Sequence, residues 1–359
     1  MITLDLGQDA PTLAAALVDV FSVSGSEGPL ADAVEAALSG VPHLSVTRDG
    51  DAVVARTAQG SPERVVLAGH LDTVPEAGNL PGRRSGGLLY GLGSCDMKGG
   101  IAVALRLAAS VAEPTRDVTY IFYDGEEVDE SRNGLRRLQL AHPDWLAADF
   151  AVLMEPTGAI VEAGCQGTLR VDVGTVGRRA HSARSWTGVN AIHEAAALLQ
   201  RLRDHQARRV VVDGLEYREG LNAVRINGGV AGNVIPDRCT VVVNYRFAPD
   251  RSLDQALAYL REELDGFQVT LVDGAGGARP GLDVPAAAQF LAAVGGPARP
   301  KLGWTDVARF AAMGVPAVNY GPGDPEQAHT RDEHVAEAEI LRCEDRLRSW
   351  LAAAPAPPR

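Results

Sequence analysis

Arg64-Val65-Val66-Leu67-Ala68-Gly69-His70-Leu71-Asp72 is the stretch from which the rest of the chain is read. A continuous apolar run of strand length leads straight into a histidine and an acid. Such a β-rich run of this length reads as a hydrophobic strand. The arrangement recurs twice: Val118 to Tyr123 runs into Asp124-Gly125-Glu126-Glu127, and Phe150 to Met154 into Glu155. Between these runs, Gly99 to Val111 reads as a buried Ala-rich helix and Leu135 to Gln139 as part of another. Ala10 to Val18 and Gly28 to Leu38 also show helical spacing, the second entered through Ser24-Gly25-Ser26-Glu27. Strands alternating with helices predict an α/β fold, a three-layer αβα sandwich, and such sheets collect their ligands at the carboxyl ends of strands.

From Thr168 the pattern changes to alternating apolar and polar residues at Leu169-Arg170-Val171-Asp172-Val173. A helix over Asn190 to Leu202 follows, then strands at Ala223 to Ile226 and Thr240 to Phe247, a helix at Leu253 to Leu264 and a strand at Phe267 to Val272. That β-α-β-β-α-β order predicts a ferredoxin-like α+β unit. Pro280 to Val284 leads back to helix and strand at Ala286 to Val294, Val307 to Met313 and Val315 to Tyr320. The expected organisation is therefore a first domain over 1–168, an insertion over 169–280, and the completion of the first domain over 281–359.

The whole chain sets limits. Its 359 residues exceed the size at which single cores stop growing, in keeping with two domains. No apolar run reaches membrane-span length, and the N-terminal residues lack a signal-peptide pattern, so a cytoplasmic protein is expected. A net charge of -12 argues against nucleic-acid binding, which needs a basic surface. Cys95, Cys165, Cys239 and Cys343 form no C-x-x-C pair, so reduced thiols are expected and no zinc ribbon. The Ala/Pro-rich tail after Leu351 is expected to fray.

Five segments carry the chemistry: Gly69-His70-Leu71-Asp72, Cys95-Asp96-Met97-Lys98, Asp124-Gly125-Glu126-Glu127, Met154-Glu155 and Ala328-His329-Thr330-Arg331-Asp332-Glu333. Residues i and i+2 of a strand share a side, so Asp72 can accept the imidazole N–H that His70 does not give to a metal. Gly91-Leu92-Gly93-Ser94-Cys95-Asp96 imitates a dinucleotide loop but ends in Asp where that loop needs Gly. Taken singly, Asp96 fits an ordinary helix N-terminus, Glu126 and Glu127 a solvated acidic turn, and Glu155 and His329 ordinary surface or core residues. Together they supply histidines and carboxylates without a paired thiolate, which suits Zn²⁺, with Co²⁺ or Mn²⁺ possible. A pair of such ions about 3.5–4 Å apart activates water and polarises a carbonyl, the requirements of amide hydrolysis.

These segments, in this order, resemble the M20 family of metallopeptidases and amidohydrolases over nearly the full length. The resemblance implies a zinc-peptidase-like catalytic domain with an inserted dimerisation or lid domain, and hence a homodimer. It assigns His70 and Glu155 to one metal, Glu127 and His329 to the other, Asp96 to the bridge between them, Glu126 to the general base and Asp72 to orienting His70. His181 would stabilise the oxyanion, from the partner subunit, while Thr168, Asn233, Arg246 and Thr305 would contact substrate. Gly164-Cys165-Gln166-Gly167-Thr168-Leu169-Arg170, Arg179-Ala180-His181-Ser182, Gly232-Asn233-Val234-Ile235-Pro236 and Gly303-Trp304-Thr305-Asp306 are most similar to the actinobacterial branch of that family. Its members hydrolyse N-succinyl-LL-2,6-diaminopimelate to succinate and LL-2,6-diaminopimelate in lysine and diaminopimelate biosynthesis. Cys165-Gln166 departs from the basic residues of other branches, so recognition of the succinyl carboxylate must come partly from elsewhere. Acetylornithine deacetylation, another N-acyl amino-acid deacylation, and a non-catalytic amino-acid-binding protein on the same scaffold remain alternatives.

Overall fold

The computed structural model describes residues 2–353; from residue 354 on, the Ala/Pro-rich tail lies outside the described residues. The chain divides into two compact units. One runs to Ala163 and resumes at Gly281–Arg299 and from Arg309; the other takes Gly164–Pro280 and Pro300–Ala308.

In the first unit a mixed sheet runs in the order Ser45–Asp49, Ala52–Arg56, Asp117–Tyr123, Arg64–His70, Phe150–Leu153, Ala317–Asn319, Glu162–Ala163. The apolar runs at Arg64–His70, Asp117–Tyr123, Phe150–Leu153 and Ala317–Asn319 pair in parallel. They are buried along nearly their whole length, as continuous apolar runs in a parallel sheet must be. Their register matters for function: His70 lies beside Tyr123, and Ala68 beside Leu153. The residues that follow these strands, Asp72, Glu126, Glu127 and Glu155, therefore leave the sheet at one end. Helix Gly99–Ser110 packs on Arg64–His70 and Asp117–Tyr123, and helix Glu337–Ala352 packs on that helix in turn. Gly100 lets its helix come close to the end of Phe150–Leu153, since a Cβ there would meet the Met154 carbonyl oxygen at 2.2 Å. A small sheet of Leu88–Tyr90 between Arg83–Ser85 and His334–Ala336, not anticipated from sequence, ties the end of the chain to the segment before Asp96.

The second unit is built on a sheet ordered Gly220–Gly228, Arg238–Phe247, Gly167–Val176, Gln268–Ala275, antiparallel throughout. Burial alternates along Arg238–Phe247, with one face on the helices Ala191–Asp204 and Leu253–Glu263. Asn190 caps the first helix through the N–H groups of Ile192 and His193, and Ser252 with Gln255 forms a capping box on the second. This is the β-α-β-β-α-β order read from the pattern, interrupted by an unanticipated hairpin, Arg209–Val212 with Leu215–Arg218. Among the described residues no helix is long and apolar enough to cross a membrane.

Candidate metal centre

His70 is the last residue of its strand, with a side chain 1% exposed. Its Nε2 stands 3.1 Å from Oδ1 of Asp96, and its Nδ1 is 2.9 Å from the main-chain carbonyl of Asp72. The nearest Asp72 carboxylate oxygen is 3.6 Å from Nδ1, so the carbonyl is the closer acceptor for the ring proton. Burial alone would lower the His70 pKa, but Asp72 and Asp96 outweigh it and hold it well above the ordinary value.

The Asp72 carboxylate, wholly buried, works in another direction as well. It accepts the Ser24 hydroxyl at 2.7 Å and the main-chain N–H groups of Glu126 and Glu127 at 3.0 Å each. Burial pushes the Asp72 acid up, yet His70 and these donated bonds prevail and bring it to about 2. The Glu126-Glu127 turn itself depends on Gly125: its φ is +69°, and a Cβ there would meet the Arg132 carbonyl oxygen at 2.5 Å.

Asp96 sits between the two histidines. While Oδ1 faces His70, Oδ2 lies 3.4 Å from Nε2 of His329. Nε2 of His329 is also 2.8 Å from Oε1 of Glu127. Asp96 is held well below the usual carboxylate range, burial acting upward and the bonds from His329 and His70 outweighing it. His329 is pushed up to about 10 by its bonds to Asp96 and Glu127. Ligand atoms of His70, Asp96 and Glu127 all lie within 4.8 Å of one another. Glu155, 6% exposed and separated from Phe150–Leu153 by Met154, is not part of that trio; nor is His329, which reaches it through Asp96 and Glu127.

This donor set fits divalent cations. Imidazoles and carboxylates converge, and the two oxygens of Asp96 face separate histidine nitrogens, as a carboxylate shared between two ions must. Cys95 adds no thiolate, because its thiol donates to the Asp324 carbonyl and burial pushes its pKa far up.

The remaining residues singled out from sequence belong to the second unit. Exposed His181 pairs with Val234, and the Ser182 N–H bonds the Asn233 carbonyl, so His181 and Asn233 lie side by side. The Ala183 N–H donates to Nδ1 of His181 at 3.1 Å, which leaves the neutral ring's proton on Nε2. Thr168 and Arg246 are register partners on neighbouring strands. The half-buried Arg246 guanidinium makes no hydrogen bond or ion pair among the described residues, and burial lowers its pKa. Thr305 is buried at 4% exposure. Gln166, also buried, donates its amide to the Arg218 carbonyl at 2.6 Å and is occupied within the fold.

Sequence reasoning assigned nothing to Ser24, whose only outward sign was an N-cap setting, or to Glu333, which lies within a quoted segment and turns out to be buried beside Asp96.

Residues 66–353 match the profile of Peptidase family M20/M25/M40. The chain is 56% identical to a Mycobacterium tuberculosis protein provisionally named succinyl-diaminopimelate desuccinylase DapE, over 97% of this chain and 99% of that protein. It is 47% identical to the succinyl-diaminopimelate desuccinylase of Corynebacterium glutamicum, over 97% and 98% respectively. Among solved structures, an M20 family metallo-carboxypeptidase from Sulfolobus solfataricus matches with a TM-score of 0.81 at 14% identity, covering 97% of this chain and 99% of that one.

Proposed function

The chain belongs to the M20/M25/M40 peptidase family, and on that premise we propose that it hydrolyses N-succinyl-LL-2,6-diaminopimelate to succinate and LL-2,6-diaminopimelate, the step of lysine and diaminopimelate biosynthesis. The observation that carries this reading is the similarity, over nearly the full length of each, to two proteins named for that reaction.

His70 and Glu155 would hold one divalent ion and Glu127 and His329 the other, with Asp96 between them; bound there, the pair supplies an activated water and a polarised amide carbonyl. The donor set suits Zn²⁺, and Co²⁺ can substitute. Glu126 takes the proton of the attacking water and delivers it to the amine nitrogen as the C–N bond breaks. Its main chain is anchored for this by the Asp72 carboxylate. The Nε2–H of His181 donates to the oxyanion, a role its tautomer supports. Arg246, with a planar fork and no internal partner, takes a substrate carboxylate bidentately, and Thr168, Asn233 and Thr305 contact the rest of the substrate. With Gln166 occupied, Arg246 becomes the main basic group for the acyl end.

A homodimer through the second unit belongs to the same reading. Gly220–Gly228 is the edge of its sheet, is exposed from Asn222 onward, and presents Val224 and Ile226, with exposed Ile192 against Gly228 at its end. An unpaired, apolar edge strand is a template for a second copy. Four unbridged cysteines agree with a reducing, cytoplasmic setting.

The test is a metal-reconstituted substrate panel. Succinyl-diaminopimelate should turn over far faster than acetylornithine, and the reverse preference would reassign the chain to another deacylase. Glu126→Ala should abolish turnover while leaving two ions per chain; loss of metal instead would make Glu126 a ligand.

A further inference from the structure

Glu333 ends the segment that carries His329, yet its side chain turns inward and is 2% exposed. There it accepts three main-chain N–H groups of the loop that presents Asp96. Oε2 takes Gly93 at 3.0 Å, and Oε1 takes Cys95 at 2.9 Å and Asp96 itself at 3.0 Å. The main-chain carbonyl of Glu333 adds a fourth bond, from Gly91 at 3.0 Å. Converging main-chain N–H groups form a seat for an anion, and here the chain's own carboxylate fills it. We propose that Glu333 is a positioning residue that locks the Asp96 loop to the His329 segment and so sets the spacing of the second metal position.

The loop needs an external support. Asp96 and Met97 depart from helical dihedrals within Ser94–Lys98, so regular helix bonding does not hold Asp96 in place. His329 has equally little of its own, with a φ of +61° and a side chain about half exposed. The two residues come from positions 233 apart and meet at Asp96 Oδ2 and His329 Nε2; Glu333 bonds the first loop and belongs to the second. His70, by contrast, is seated at the end of a buried strand with Asp72 beside it. Asp96 faces both positions, but His70 keeps its buried strand end and Asp72, so loss of the Glu333 carboxylate should loosen the position completed by Glu127 and His329 much more than that of His70. Supporting groups of this kind typically alter metal affinity or activity by about 10–100-fold.

The inference rests on the dimetal reading above, and titration of the full-length, metal-stripped chain with Co²⁺ under chelator competition tests it. In Glu333→Gln one oxygen can still serve Cys95 and Asp96, but the new NH₂ opposes the Gly93 N–H. The second Co²⁺ should bind about 10–100-fold more weakly with an altered visible absorption band, and the first should weaken far less. At saturating metal kcat should fall with KM unchanged. A second-ion affinity within about threefold of the unmodified chain, with the same spectrum, overturns the proposal, threefold being well inside the effect such groups exert. So does joint loss of both ions together with the metal-free melting transition, which would make Glu333 a general structural residue. Glu333→Asp keeps the charge on a shorter arm and should show the same split; if neither variant folds, the proposal falls. An unmodified chain that takes up fewer than two ions overturns the dimetal reading as well.

Discussion

Replacing Asp72 by Asn tests whether one carboxylate organises both working glutamates. Its oxygens accept the N–H groups of Glu126 and Glu127, one each, at 3.0 Å. Asparagine keeps the shape but has a single oxygen, so its NH₂ must point at one of those two N–H groups. A buried donor left unpaired costs about 1–3 kcal/mol. The charge gives a second measure: an acid drawn from 3.8 to about 2 is stabilised in the fold by roughly 2 kcal/mol. The two overlap, because the same bonds draw the acid down, so the expected loss is about 2–3 kcal/mol for the metal-free chain rather than their sum. The sign follows from the lowered pKa. Stability from ionised Asp72 is complete above pH 3.8 and is lost as the pH falls through about 2. Urea unfolding of the metal-stripped chain at pH 7, 4 and 2 measures both effects: the gap between the two proteins should be widest at pH 7 and shrink toward pH 2. With metal restored, slack in the Glu126-Glu127 turn should lower kcat about 10- to 100-fold, each factor of ten being about 1.4 kcal/mol. A gap under about 1 kcal/mol at pH 7, below the smallest penalty of an unpaired buried donor, or a gap that does not change with pH, would refute the account of Asp72 as the hub.

Gly125→Ala should lower both melting temperature and kcat, because the new Cβ meets the Arg132 carbonyl. Gly60→Ala, at φ +77° with nothing within 4 Å, should carry only the backbone penalty of about 1–2 kcal/mol and keep full activity. Equal activity losses in the two would rule out the turn argument. In the second unit, Glu219 accepts Arg208, Tyr245 and the Ala248 N–H. Burial pushes its acid up, but these partners bring it below the ordinary 4.5, so its contribution holds above pH 4.5 and is lost in more acid solution. Glu219→Gln should destabilise this unit by about 1–3 kcal/mol at neutral pH, less than a fully broken buried pair, since Arg208 is partly exposed and keeps Asp250. Hydrogen exchange of Arg238–Phe247 at pH 7 and 4 should show the effect fading with acid, and a constant difference would contradict it. Val224→Lys with Ile226→Lys should convert a dimer to a monomer in light scattering without changing the melting of the isolated chain; an unchanged mass would remove the edge strand from the interface.

The strands that lead into the site were legible because burial on both faces demands continuous apolar runs, and Arg64–His70, Asp117–Tyr123 and Phe150–Leu153 are such runs. Ser45–Asp49 and the three-residue strands Arg83–Ser85, Leu88–Tyr90 and His334–Ala336 are too short or too exposed to show a period. The hairpin at Arg209–Val212 and Leu215–Arg218 did leave a signal, since Asp213-Gly214 takes positive φ at both positions and Asp-Gly between apolar runs is a two-residue turn. Among the site residues, strand alternation led to the expectation that His70 and Asp72 share a side, but the strand ends at His70, and the pattern could not say which oxygen meets which nitrogen. In the fold the Asp72 carbonyl is the nearer partner of His70, while its carboxylate reaches Ser24 and the amides of Glu126 and Glu127, residues 48 to 55 positions away. Glu333 repeats the point from the other side, since a carboxylate four residues after a candidate ligand reads as a solvated acid until the Gly93 to Asp96 amides converge on it. Ligand types are a local property and survive in the one-dimensional pattern. The supports that hold those ligands at a usable spacing join segments distant in sequence, and therefore exist only once the sheet has set its register.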